Sequence, residues 1–292
     1  MTSTVSEVQE PAKPTLVVRP LTLNTFRYLY RCARAIKYIP GLGQRFLMDL
    51  YHQTILGWWW LVIRALLPTL GIIAIFQHVP AFKPEGLPYG LYVISGMLLW
   101  TILSTTLLRS TRSLRRTRGL AMKLAIPKLV FVLASAAIPL VYFCIFAAVL
   151  IIGIAIEYLS SGIMYLKFGW NLLLLPIPLG LVFLLCIGIA SFTSVALLFA
   201  RDARFIIPLV TQLWFYFTPI IYTIDIMPPS WQFVIMHVNP ISALVEMLRW
   251  SLFGVGSWDA LSLAVSATIC LTVFLLGARF LMRTEWVLRE IL

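Results

Sequence analysis

Charged residues and the motifs of several enzyme classes are scarce or missing in this chain. Only 12% of the 292 residues are charged, compared with about a quarter in a soluble domain. The sequence contains no G-x-x-x-x-G-K-[ST] run, which forms the phosphate-binding loop of many ATPases. It also contains no zinc signature, no G-x-S-x-G elbow and no carboxylate deep in a long apolar run. We therefore predict no catalytic residue, no metal ligand and no cofactor on this chain.

Hydrophobic residues are abundant, and they are grouped in runs of helix length. They make up 61% of the chain, and the mean hydropathy is +0.93. A membrane-spanning helix needs about 20 consecutive apolar residues, whereas the strands of a membrane barrel are about half as long and alternate in polarity. We predict an all-α membrane protein with six transmembrane helices. The predicted spans are 60–79, 88–108, 129–156, 172–200, 205–224 and 258–281.

Positive charge is distributed unevenly around these spans. Residues 1–58 and the loop 109–128 carry seven lysines or arginines each, whereas the opposite side of the layout carries three in total. Because basic loops stay in the cytoplasm, we expect both termini on the cytoplasmic side of the inner membrane. The net charge of +12 is then mostly a topology signal, and we expect no nucleic-acid partner.

The distribution of charge also divides the chain into two parts. Residues 1–58 are predicted to form a cytoplasmic tail with amphipathic interface helices, and residues 59–292 the six-span membrane domain. In the first of these helices, Arg27, Arg31 and Arg34 share one face, and an apolar face opposes them. The predicted apolar face contains Phe26, Leu29, Ala33 and Ile36.

The loop 109–128 contains no acidic residue, and its length suits a short helix before Pro127. It either couples the chain to a soluble partner or anchors it to lipid headgroups, and charge alone does not decide between these functions. The residues that we assign to partner coupling are Arg112, Arg115, Arg116, Arg118 and Lys123.

The segment 226–255 is apolar and aromatic, but Pro228, Pro229 and Pro240 interrupt it, so no part of it is a full span. We predict a helical hairpin that re-enters the bilayer from the periplasm. The alternative is a pair of amphipathic helices on the outer leaflet. Glu246 and Arg249 are spaced i, i+3 and can pair, either as a buried lock or as a solvated surface pair. The predicted gate residues are Asn239, Pro240, Glu246 and Arg249.

Two further features are candidates for a substrate path. Arg64 lies inside the first predicted span, where it can either reach back to the phosphates or meet an anionic substrate. Aromatic residues crowd the fifth predicted span and suit either sugar stacking or ordinary packing. The residues assigned to the path are Arg64, Trp214, Phe215, Tyr216 and Tyr222.

Four stretches of the chain resemble one known family, the permease subunits of ABC-2 type exporters of lipid-linked polysaccharide. These exporters include those of O-antigen, capsule and teichoic acid. The stretches are TILGWWW at 54–60 followed by Pro68, LPYGLYVISGMLLW at 87–100, RDARFIIPLVTQLWFYFTPIIY at 201–222 and NPISALVEMLRWSLFG at 239–254. The last two are the most specific, and together the four extend over most of the chain.

The resemblance implies a transport subunit and not an enzyme. It implies two copies of the chain, each with six spans, and two separate ATP-binding subunits that hold the ATP and Mg²⁺. It also implies that 109–128 is a coupling helix, that 44–57 is the interface helix and that 228–254 is the re-entrant pair. The chain departs from the family in MKLAIPK at 122–128, which lacks the usual acid, and residues before 40 have no counterpart.

The function expected from this resemblance is export of a lipid-linked polysaccharide, similar to O-antigen, from the cytoplasm to the periplasm. Two other functions remain open. One is an ABC-2 permease for a small molecule or drug, which would have the same fold. The other is a membrane glycosyltransferase or lipid-modifying enzyme, which would need acidic catalytic residues on a loop.

Overall fold

The computed structural model describes residues 25–51, 55–82, 84–110, 126–200, 202–256 and 258–291, and every regular element in these ranges is helical. The α-helices are α1 Thr25–Arg34, α2 Ile39–Tyr51, α3 Trp59–Phe76, α4 Tyr89–Thr105, α5 Lys128–Ser135, α6 Ala137–Ser161, α7 Pro176–Phe199, α8 Ala203–Tyr216, α9 Pro229–Val238, α10 Pro240–Phe253 and α11 Ala260–Ile291. Short 3₁₀ turns lie at Ile36–Tyr38, Pro80–Phe82, Trp170–Leu174 and Ile224–Ile226, and a π-helical turn at Thr106–Ser110 extends α4.

Five helical stretches in the described residues are long and apolar enough to cross a membrane. They coincide within a few residues with five of the six predicted spans, and they confirm the prediction of an all-helical membrane protein. The stretches are Trp59–Phe76, Tyr89–Arg109, Lys128–Ser161, Trp170–Phe199 and Ala260–Glu285.

The predicted span 205–224 differs, because its helix is shorter than the apolar run. Helix α8 has 14 residues and ends at Tyr216. Pro219 cannot donate a backbone hydrogen bond, and it disfavours helical geometry in the residue before it. The chain therefore leaves the helical conformation at 217–223. The prediction from the length of the apolar run was too long for α8 at this end.

Helix α4 lies at the centre of the fold and is buried along most of its length. It packs against α3, α6, α7 and α10. Helices α7 and α11 form another close pair, since a Cβ atom on Gly188 would lie 2.7 Å from the backbone nitrogen of Phe274. In contrast, α3 and α8 bury few of their apolar residues. The core thus surrounds α4 and α10, and two apolar helices flank it.

The N-terminal helices differ in detail from their predicted form. Helix α1 buries Tyr28 and Cys32, and Ala35 directly after it is buried as well; of the predicted apolar face, Leu29 packs partly against the core, whereas Ala33 and Ile36 are exposed. The buried residues also have helical spacing. They include Tyr28, whose hydroxyl group forms hydrogen bonds with Glu285 and with the backbone of Leu129. Helix α2 begins at Ile39, before its predicted start at residue 44, because a proline in the first turn leaves no hydrogen bond unmade.

Candidate functional site

The short helix α10 carries the predicted gate residues into the interior of the protein. Its sequence specifies both ends, since Asn239 caps the first turn, Pro240 occupies the first helical position and Gly254 ends it with a φ of 66°. Thirteen of its fourteen residues are buried, and it packs against α4, α7 and α11. A helix of this length in the core needs partners for its two charged residues, Glu246 and Arg249.

The side chain of Arg249 is completely buried and joins three segments of the chain. Its Nη1 donates to Glu246 Oε1 at 2.7 Å and to the Pro219 carbonyl at 2.8 Å. Its Nη2 donates to the carbonyls of Tyr92 at 3.2 Å and Ile220 at 3.3 Å. The guanidinium carbon lies 3.4 Å from the centroid of the Tyr92 ring. Arg249 therefore connects α10, α4 and the turn that follows α8.

The local backbone explains why a charge is tolerated at this depth. Burying a guanidinium is costly unless a counter-ion and hydrogen-bond acceptors surround it. The break at Pro219 provides carbonyl groups that no helix uses, and Glu246 supplies the negative charge. Glycines provide the room, since a Cβ on Gly96 would lie 2.9 Å from Arg249 Nη2, and one on Gly256 would lie 2.6 Å from Glu246 Oε2.

Two tyrosines of α4 hold the same turn from the other side. The Tyr89 hydroxyl donates to the carbonyl of Ile221, and the Tyr92 hydroxyl donates to that of Tyr222, both at 2.9 Å. The Tyr222 hydroxyl in turn donates to the Tyr216 carbonyl at 3.1 Å. The turn after α8 is thus fixed by side chains from α4 and α10, although it has no regular secondary structure itself.

Asn239 ties the start of α10 to the end of α8. Its Oδ1 accepts hydrogen bonds from Ile241 N at 3.2 Å and from Trp214 Nε1 at 2.9 Å. Its Nδ2 donates to the Phe217 carbonyl at 3.2 Å and to Thr218 Oγ1 at 3.0 Å. One side chain therefore caps α10 and also binds the last turn of α8. The structure brings together a predicted gate residue and the predicted path residue Trp214.

The other predicted path residues occupy different environments. Phe215 packs on Trp100 with ring centroids 5.3 Å apart, and Tyr222 is buried, so both contribute to packing. Tyr216 is 59% exposed on the outer side of α8. An apolar groove of about 410 Å³, which Trp214 helps to line, lies between α8 and α9. Its lining includes Val210, Leu213, Trp214, Phe217, Trp231 and Val238.

Arg64 and the predicted coupling residues are not part of this network. Arg64 is exposed on α3, and its side chain makes no hydrogen bond or ion pair within the described residues. The predicted coupling residues lie in the segment 111–125, outside the residues that the structure describes. These residues are Arg112, Arg115, Arg116, Arg118 and Lys123.

Sequence reasoning missed Tyr89, Tyr92 and Gly96, which complete the environment of Arg249. The i, i+3 spacing of the two tyrosines indicates that they share a face of α4, but it does not indicate what they meet. A polar cavity of about 550 Å³ opens next to this network, and Glu85, Asp225 and Glu246 lie in its wall. In the part of the chain that the structure describes, no three His, Cys, Asp or Glu side chains are placed to hold a metal ion.

Five apolar spans among the described residues, and a buried helix that begins at Pro240 and ends at Gly254, define a multi-pass membrane protein. Comparison with known families makes this class specific. Residues 40–253 match the family described as ABC-2 type transporter, and the chain therefore belongs to that family of transport membrane subunits. The resemblance that the sequence motifs indicated is thereby confirmed.

Named relatives point in the same direction. Two proteins from Klebsiella pneumoniae, each called O-antigen export system permease protein RfbA, are 25% identical to this chain over 226 residues. The alignments cover 76% of this chain and 83% of each relative. The similarity therefore extends over most of the chain and is not restricted to one motif.

Proposed function

We propose that this chain is the membrane permease of an ATP-driven exporter that moves a lipid-linked polysaccharide, similar to O-antigen, from the cytoplasm to the periplasm. The similarity to O-antigen export permeases over 76% of the chain is the observation that carries this proposal. In this proposal the chain lies in the inner membrane with both termini in the cytoplasm. ATP and Mg²⁺ bind to two separate subunits.

Chain length supports a sixth crossing by α8 and the turn that follows it. A 14-residue helix extends about 21 Å, compared with about 30 Å for the hydrocarbon core. The irregular residues 217–222 can extend over the remaining distance, and hydrogen bonds from α4 and α10 satisfy several of their carbonyl groups. Non-helical backbone at membrane depth is tolerated where protein covers it in this way.

Helices α9 and α10 are too short to cross the bilayer separately, since they extend about 15 Å and 21 Å. They are joined directly at Asn239 and lead from the turn after α8 to the start of α11. A hairpin that enters and leaves the bilayer on the periplasmic side fits both the short lengths of α9 and α10 and their position between α8 and α11. We assign to it the role of the outer gate, with Asn239, Pro240, Glu246 and Arg249 holding it in place.

A second copy of the chain would complete the conduit. Six helices do not enclose a channel as wide as a polysaccharide, whereas a twofold dimer can enclose one at its interface. Helices α3 and α8 expose apolar faces suited to that interface, and Arg64 and Tyr216 lie on them. The aromatic rings beside the groove offer faces on which sugar rings can stack.

The proposed mechanism uses α4 as a rigid connection. Its π-helical turn at Thr106–Ser110 leads directly into the basic loop, and Tyr92 near its other end contacts Arg249. The residues between them, 93–105, extend about 20 Å. When ATP binding brings the partner subunits together and displaces the loop, α4 passes this displacement to the turn after α8 and to α10. Hydrolysis restores the first arrangement.

Deletion and complementation of the coding sequence test the function. We expect deletion to abolish surface polysaccharide and to leave lipid-linked polysaccharide at the cytoplasmic face, with rescue by the wild-type chain. A drug permease would leave the polysaccharide unchanged, and small molecules would stimulate the ATPase activity of its complex. A glycosyltransferase would transfer sugar without any ATP-binding subunit. Either result would overturn the proposal.

A further inference from the structure

Three helices far apart in the sequence meet at the carboxylate of Glu285 on α11. Its Oε1 accepts a hydrogen bond from the Tyr28 hydroxyl of α1 and another from the backbone nitrogen of Lys128 at the start of α5, both at 2.6 Å. The Tyr28 hydroxyl also accepts a hydrogen bond from Leu129 N at 3.3 Å. We name the group formed by Glu285, Tyr28 and the backbone N–H groups of Lys128 and Leu129 the Glu285 junction.

The junction replaces a local helix cap. The first N–H groups of a helix have no partner within the helix, and the side chain before α5 belongs to Pro127, which makes no capping bond. Residues 121–128 contain no acid that could act in its place. The negative charge that suits a helix N-terminus therefore comes from Glu285, 157 positions away in the sequence.

Tyr28 extends this cap to the next residue. Only 1% of Tyr28 is exposed, and burial, together with the negative charge of Glu285, raises its pKa far above the usual range. Its hydroxyl therefore stays protonated, donates a hydrogen bond to the carboxylate and accepts the hydrogen bond from Leu129 N. The first two N–H groups of α5 are thus held by residues from both terminal helices of the described chain.

The position of α5 gives this junction its importance. Residues 126 and 127 join the basic part of the loop to α5, so a displacement of the loop passes directly into α5 at this end, as it passes into α4 at the other. We propose that Glu285, with Tyr28, is a positioning residue that fixes where the basic loop leaves the membrane domain and passes its displacement to α1 and α11. This inference rests on the proposed coupling function of the loop 109–128.

Cys32 provides a reporter inside the same contact. It lies one helical turn after Tyr28 and is 4% exposed, and burial, reinforced by Glu285, raises the pKa of its thiol to about 12. A maleimide should label it slowly while α1 is docked. Cys186 and Cys270 are buried as well, whereas Cys144 is exposed and is replaced by serine in the test.

The test labels Cys32 in the complete transporter, purified with its ATP-binding subunits, with and without ATP and vanadate. In the wild type we expect trapping with vanadate to change the labelling rate. Glu285→Gln and Tyr28→Phe should each raise the rate without nucleotide about tenfold, because each removes a charge-assisted hydrogen bond. The double variant should add little, and in all three variants the nucleotide-dependent change should disappear.

Glu157→Gln is the matched control, since its carboxylate makes no hydrogen bond or ion pair in the described part of the chain. It should behave as the wild type. Tyr28→Phe loses a single hydroxyl group and remains informative if Glu285→Gln does not assemble. A labelling rate that nucleotide does not change in the wild type, or changes equally in the variants, would reduce the junction to a static cap and overturn the inference. Because labelling requires no substrate, this failure is distinct from a failure to export polysaccharide.

Discussion

Replacing Arg249 by methionine should destabilise the protein more than almost any other single substitution. Methionine retains much of the apolar volume, but it removes four hydrogen bonds to Glu246, Pro219, Tyr92 and Ile220. The Glu246 carboxylate, only 4% exposed, would remain in the core without its counter-ion. Breaking a buried ion pair by removing one partner costs about 3–5 kcal/mol.

Three further variants test whether the uncompensated charge of Glu246 causes the loss of stability in Arg249→Met. Glu246→Gln keeps a neutral acceptor for Arg249, whose three backbone carbonyl partners also stay in place, so we expect a smaller cost of about 1–3 kcal/mol. The double variant Arg249→Met with Glu246→Gln leaves no uncompensated charge, so its cost should be smaller than the sum of the two single costs. Arg279→Met, on the exposed side of α11, is the control and should change stability by at most about 0.5 kcal/mol.

Thermal unfolding of the purified protein in detergent measures these differences. For a chain of this size, each kcal/mol corresponds to about 2–4 °C in Tm, so Arg249→Met should lower Tm by roughly 6–20 °C. A shift smaller than about 2 °C would show that the buried network does not secure α10. A double variant as unstable as the sum of the single variants would refute the reasoning about the uncompensated charge.

Two further tests concern the close contact between Gly96 and Arg249 and the carboxylate of Asp259, which accepts a hydrogen bond from Ser262 N at the start of α11. Gly96→Ala places a methyl group 2.9 Å from Arg249 Nη2 and should cost about 1–3 kcal/mol in unfolding experiments, whereas Gly90→Ala, with no atom within 4 Å, should be neutral or stabilising. Hydrogen bonds from Ser262 lower the pKa of Asp259, so its stabilising effect is present at neutral pH and is lost as pH falls through that lowered pKa. Melting curves of Asp259→Asn and wild type should therefore differ at pH 7 and converge in acid.

The parts of the fold that depend on neighbouring residues were accessible from the sequence. The lengths of apolar runs located five spans, because hydrocarbon thickness fixes the length of a crossing helix. The i, i+3 spacing of Glu246 and Arg249 predicted their pairing, because helix geometry alone brings such residues together. Burial of this pair, left open by the spacing, became evident only from the packing around α10.

The parts that depend on distant residues were not accessible. The contact between Tyr28 and Glu285 joins residues 257 positions apart, and no local pattern encodes it. The same limit applies to α1, where two stripes have helical spacing and the packing against α11 buries the one with Tyr28. The role of the irregular turn after α8 as a source of carbonyl acceptors for Arg249 likewise depends on tertiary contacts.

Coupling between the basic loop and the gate is the central claim, and ATP hydrolysis and export measured on the same complex test it most directly. We predict that replacing Arg115, Arg116 and Arg118 by glutamate leaves ATP hydrolysis in place while polysaccharide no longer reaches the periplasm. Unchanged export by a normally assembled complex that carries these three substitutions would contradict the account.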